Sequence, residues 1–132
     1  MVLVLIAVLV GCGHHDSHGA AASVRGDAVM LNDVSVDAVL AAITKANLPV
    51  ANAHDTTSSR CPDAGCVQAI DTDTILILKF PSTGRAELYA AAVPEMVQVE
   101  DIVVEFAPAL TKEQKAAYGQ AVKNAVLTPS HP

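Results

Sequence analysis

Val67-Gln68-Ala69-Ile70-Asp71-Thr72-Asp73-Thr74-Ile75-Leu76-Ile77-Leu78-Lys79-Phe80 is the stretch that decides the fold. Val67–Ile70 and Thr74–Phe80 read as two strands joined by Asp71-Thr72-Asp73, residue types whose side chains bond turn backbone. The second strand is apolar on both faces for most of its length. That pattern places it in the middle of a sheet, covered on at least one side.

Working outward toward the N-terminus, Val36, Val39, Leu40 and Ile43 recur at helical spacing and form one apolar face. Ser35 or Asp33 caps the start of this helix. Asn47 suits the left-handed position after it, and Pro49 prevents its continuation. Ala28–Leu31 reads as a short strand before the helix, and Val50-Ala51 as a short extended piece after it. Asn52 to Gly65 reads as a long polar loop containing His54-Asp55-Thr56-Thr57-Ser58-Ser59.

Toward the C-terminus, Ala86, Tyr89, Ala90 and Val93 mark a helix that starts near Ser82 and ends before Pro94. Val97–Phe106 reads as one strand. Its apolar residues change parity across Glu100-Asp101, which a β-bulge accommodates. Thr111-Lys112-Glu113-Gln114 has the spacing of a capping box. Ala117, Ala121, Val122 and Ala125 follow as a weak apolar stripe. Hairpin strands interspersed with helices predict an α+β fold, with an antiparallel sheet and helices on one face. A ferredoxin-like plait or a related two-layer sandwich satisfies that order.

The first residues carry a different signal. Val2–Val10 is an unbroken apolar run followed by Gly11 and Cys12. It is shorter than the about 20 residues that span a bilayer as a helix, and it fits the core of a secretory signal. Leu9-Val10-Gly11-Cys12 resembles the lipobox of bacterial lipoproteins. The resemblance implies cleavage before Cys12, lipidation of Cys12, and residence at the cell membrane on its extracytoplasmic side. The expected organisation is a signal peptide over 1–11, a lipidated cysteine and flexible tether over 12–26, one domain over 27–128, and a tail over 129–132.

Composition narrows the function classes. The formal net charge is −6, which disfavours nucleic acid as a partner. Aromatics are 3% with no Trp, so stacking platforms for bases or sugars are not expected. With Cys12 taken by lipid, Cys61 and Cys66 remain as an even pair in an oxidising compartment. Pro62-Asp63-Ala64-Gly65 between them bends readily, and a disulfide is expected. The competing reading is a metal pair with His54 as third ligand, but structural zinc sites usually need a second ligand pair.

His14, His15 and His18 are the densest metal-ligand types. They stand between glycines without apolar period, and read as weak metal candidates in a polar spacer rather than as a site. Asp71 and Asp73 are expected to serve the turn, and Glu100, Asp101 and Glu105 a solvated strand edge. The Thr/Ser run near His54 is compatible with sugar attachment. No catalytic signature is present, and no cofactor is implied.

The lipobox, the Ala/Val-rich composition, the Cys61/Cys66 pair and Phe80-Pro81-Ser82-Thr83-Gly84-Arg85-Ala86-Glu87-Leu88-Tyr89 together resemble small lipoproteins of mycobacteria and related actinomycetes. That group has no common activity to transfer. The expectation is a lipid-anchored envelope protein, not an enzyme, whose domain binds an envelope protein or a small ligand. The alternatives are an extracytoplasmic enzyme and a His-rich metal-handling lipoprotein. A cleft holding His54, Asp55 and a Ser or Thr hydroxyl together would favour the enzyme.

Overall fold

The computed structural model describes residues 32–128. The expected signal peptide over 1–11, Cys12, His14, His15, His18, the expected tether over 12–26, the strand expected at Ala28–Leu31 and the expected tail at 129–132 lie outside the described residues. In chain order the elements are α1 (Val36–Lys45), β1 (His54–Asp55), α2 (Thr57–Ala64), β2 (Gln68–Asp71), β3 (Ile75–Lys79), α3 (Thr83–Ala92), β4 (Met96–Val99), β5 (Ile102–Phe106) and α4 (Lys112–Leu127).

The fold is α+β, built on one five-stranded sheet of order β1-β2-β3-β5-β4 with every neighbouring pair antiparallel. The expected hairpin forms, with Gln68 opposite Lys79 and Asp71 opposite Leu76. Thr72 makes the side-chain bonds of its turn. The Thr72 hydroxyl accepts from the backbone N–H groups of Thr74 and Ile75. All five residues of β3 are buried, as an apolar central strand requires.

Alternation along β3 divides the core in two. Ile75 and Ile77 join Ile70, Ile102 and Val104 beneath Val39 and Ile43 of α1 and Tyr118 and Val122 of α4. Leu76 and Leu78 join Ala69 and Val103 on the opposite face, against Cys61 of α2 and Ala86 of α3. The expected helical layer describes the larger core. The second face is not bare, because α2 and α3 cover a smaller one. The sheet order is two hairpins joined through β3 and β5, and a ferredoxin-like plait is not formed.

Local physics explains the helix ends. Ser35 accepts from Ala38 N–H at 3.1 Å and starts α1. Asn47 takes φ 57°, while its N–H reaches Thr44 O and the Leu48 N–H reaches Ile43 O. That is a Schellman ending with asparagine in place of glycine. Ser82 caps α3, and Thr111 with Gln114 forms the expected capping box of α4.

Three local expectations are corrected. The segment Asn52–Gly65 is not all loop, since it holds β1 and α2. Helix α2 buries only Cys61 and carries Pro62 within it, so it shows no apolar period. Val97–Phe106 is not one bulged strand. It is the β4–β5 hairpin, with Val99 opposite Ile102 and Glu100-Asp101 as a two-residue turn. Such turns need positive φ and normally signal themselves with Gly or Asn. Here Glu100 adopts φ 53°. The buried stripe of α4 is Tyr118, Ala121, Val122 and Val126, while Ala117 is exposed.

Candidate functional site: a polar cleft on the second sheet face

The register places Asp71, Leu76 and Glu105 side by side across β2, β3 and β5. They share the face covered by α2 and α3. Arg60 reaches from α2 to Asp71, with its guanidinium nitrogen 3.3 Å from Asp71 Oδ2. Tyr89 reaches from α3, and its hydroxyl donates to Glu105 Oε1. Phe80 packs against the Tyr89 ring, with 5.1 Å between centroids.

These side chains line two adjoining hollows. One, of about 500 Å³, lies between α2 and α3 and is lined by Arg60, Asp63, Leu78 and Tyr89. The other, of about 170 Å³, is lined by Arg60, Asp71, Leu76 and Glu105. Arg60 is shared by both and stands 52% exposed. One cation thus faces three carboxylates, those of Asp63, Asp71 and Glu105, above an apolar floor. Burial, reinforced by the bond to Glu105, pushes the Tyr89 hydroxyl up to about 12. It remains a neutral donor at physiological pH.

The Cys61–Cys66 disulfide forms and fixes the helix that supplies Arg60 and Asp63. Gly65, at φ 78°, reverses the chain and donates its N–H to Cys61 O. Joined sulfurs are not free ligands, and His54 does not approach as a third one. Its Nδ1–H donates to Asn52 O at 2.7 Å, and the residue is exposed.

His54, Asp55 and a hydroxyl do not converge. His54 lies opposite Asp71 on the ladder yet lines neither hollow. Asp55 is its neighbour on β1 and accepts from Thr57 N–H at 2.7 Å, which holds its carboxyl below the usual range. The Thr57 hydroxyl accepts from Ala69 N–H, and the Ser59 hydroxyl donates to Thr56 O. Among the described residues, no three His, Cys, Asp or Glu side chains cluster as a metal set.

The acidic residues of the strands and their turns play roles that the sequence did not indicate. Asp71 pairs with Arg60, and Asp73 accepts from Asn52. Asp101 is not solvated at all. It is fully buried, with Lys79 Nζ 3.1 Å from Oδ2 and Asn32 Nδ2 donating to Oδ1 at 2.6 Å. The Lys79 contact lacks hydrogen-bond alignment, so charge holds the pair. Lys79 also donates to Val34 O at 2.7 Å and to Asn32 O at 3.3 Å. Asn32 completes the network by donating to Glu100 Oε2. This network ties Asn32 and Val34 to β3 and the β4–β5 turn, and it does not line the cleft.

Comparison of the chain with protein families, with curated proteins and with solved structures returned no match.

Proposed function

We propose that the chain is a lipid-anchored cell-envelope protein, held on the extracytoplasmic side through Cys12, whose domain binds an envelope protein or a small ligand without chemistry. The observation that carries this reading is the Cys61–Cys66 disulfide. Structural disulfides belong to oxidising compartments, and this one closes the helix bearing the cleft's only arginine. The Leu9-Val10-Gly11-Cys12 motif supplies the route out and the anchor.

The cleft's chemistry supports binding. Arg60 and Tyr89 are already paired with Asp71 and Glu105, and the Thr57 and Ser59 hydroxyls are engaged with backbone. Such groups recognise a polar partner by exchanging one hydrogen bond for another. The net excess of carboxylates favours a partner that presents a cation.

The test is affinity capture from detergent-solubilised envelope with a C-terminal tag, run beside an Arg60→Glu variant of equal thermal stability. The expected result is a protein or small molecule enriched by the parent chain and lost from the variant. Identical enrichment by both would remove the cleft from the function. Recovery of the chain in the cytoplasm with both thiols free would remove the export reading.

A further inference from the structure

The buried network beside the β4–β5 turn holds more than an ion pair. Lys79 Nζ stands 3.1 Å from Asp101 Oδ2 and 3.3 Å from Asn32 Oδ1. Asn32 Nδ2 in turn donates to Asp101 Oδ1 at 2.6 Å and to Glu100 Oε2 at 2.7 Å. An amine, a primary carboxamide and a carboxylate that touches both meet in one place. Lys79 is 3% exposed and Asp101 0%, so bulk water is kept from the pair.

Each group has the contacts that amide exchange requires. A lysine amine must lose a proton before it attacks. Asp101 Oδ2 accepts no hydrogen bond, which leaves a lone pair open for that proton 3.1 Å from Nζ. The carbonyl under attack must have its developing charge held. Asn32 Oδ1 already accepts from Val34 N–H at 3.0 Å. The leaving nitrogen must be protonated. Asn32 Nδ2 is flanked by the carboxylates of Asp101 and Glu100. Attack needs Nζ about 3–3.5 Å from the amide carbon. That carbon is one C=O bond, about 1.2 Å, from Oδ1, and so lies within about 4.5 Å of Nζ. Rotations within the flexible four-carbon stem of Lys79 close the remaining distance.

We propose that Lys79 and Asn32 become joined by an intramolecular isopeptide bond, which the folded chain forms for itself with Asp101 as base and acid. Asp101 Oδ2 takes a proton from Nζ, and the freed electron pair attacks the Asn32 amide carbon. The C=O electron pair moves onto Oδ1 beside Val34 N–H. It then returns, and the bond from the carbon to Nδ2 breaks. Asp101 gives its proton to the departing nitrogen, and a second proton from Nζ follows through the same carboxylate. A lysine ammonium and a primary amide become a secondary amide and an ammonium ion. Nothing is oxidised or reduced, and no co-reactant is needed. The bond closes a loop between positions 47 residues apart, which holds α1, β1, α2, β2 and β3. A pull on the chain before Asn32 then passes straight into the central strand.

The test is the mass of the full chain, reduced and denatured, read together with its tryptic peptides. The expected mass lies about 17 Da, one ammonia, below that of the unlinked chain with the same amino-terminal modification. Trypsin does not cut at a lysine in amide linkage. The expected product is therefore one branched peptide of residues 26–45 and 61–85. Asn32→Ala and Asp101→Asn are each expected to restore the full mass. Asn32→Ala leaves the buried pair in place, so it serves if Asp101→Asn fails to fold. A parent chain of full mass, cut after Lys79, would overturn the inference. So would a deficit that survives Asn32→Ala or a folded Asp101→Asn. A deficit of about 18 Da, one water, with Lys79 joined to Asp101 would also overturn it by making the carboxyl the group attacked.

Discussion

Lys79 is the one charged residue of the central strand, and it is 3% exposed. A lysine there is tolerated because its ammonium meets Asp101 and the carbonyls of Asn32 and Val34. Removing one member of a buried pair leaves the other charge uncompensated, which typically costs about 3–5 kcal/mol. Lys79→Met is expected to lose that much in urea unfolding, and Lys79→Met with Asp101→Asn to recover part of it. Equal losses in the single and double variants would contradict the pairing. Tyr89 provides a pH signature. Its hydroxyl is raised from 10.0 to about 12 by burial and by donation to Glu105. A group whose folded value is raised contributes stability in full below its unfolded value and loses it as pH rises through the folded one. The Tyr89 contribution is therefore expected to persist to pH 10 and to vanish toward 12. The tyrosinate absorbance difference between the parent and Tyr89→Phe is expected to show its midpoint near 12, and a midpoint at the ordinary value would deny the buried contact.

Helix α2 and the β4–β5 turn show where sequence reading stopped and why. The starts of α1, α3 and α4 are legible because each is set by a side chain within three residues of the bond it makes. Strand β3 was legible because a central strand is apolar on both faces. Helix α2 was not, because Cys61 is its only buried residue and the constraint that fixes it is a covalent bond. The Glu100-Asp101 turn was not, because its positive φ is compensated by Asn32, far away in the chain. The cleft was invisible for a related reason. Arg60, Asp71, Tyr89 and Glu105 come from four elements, and no spacing links them. Two outcomes follow for α2. Replacing Cys61 and Cys66 with Ala is expected to cost roughly 2 kcal/mol by the loop-entropy argument. Amide exchange is expected to rise first in α2. Gly65→Ala meets no steric obstacle, yet its φ of 78° is expected to cost about 1 kcal/mol. An unchanged unfolding midpoint in either variant would contradict the role given to this helix end.

At the scale of the whole molecule, an α+β domain presents a polar cleft between α2 and α3 on one sheet face. Lys79 holds the segment before α1 to the sheet by donating to Asn32 O and Val34 O. The histidines at 14, 15 and 18 belong to the spacer in this account. Deleting residues 13–19 is expected to remove only loose Zn, Cu or Ni binding and to leave the unfolding temperature unchanged. A tight stoichiometric metal that raises domain stability would reassign them. The anchor proposed at Cys12 predicts a lipid with two or more acyl chains there, since a single chain binds a membrane only marginally. Mass spectrometry of the amino-terminal peptide of the native protein, recovered from the membrane fraction, tests this most directly. The expected peptide begins at Cys12 and carries the mass of a lipid with two or more acyl chains. A peptide that runs through an unmodified Cys12 from the residues before it would contradict the anchored, extracytoplasmic function.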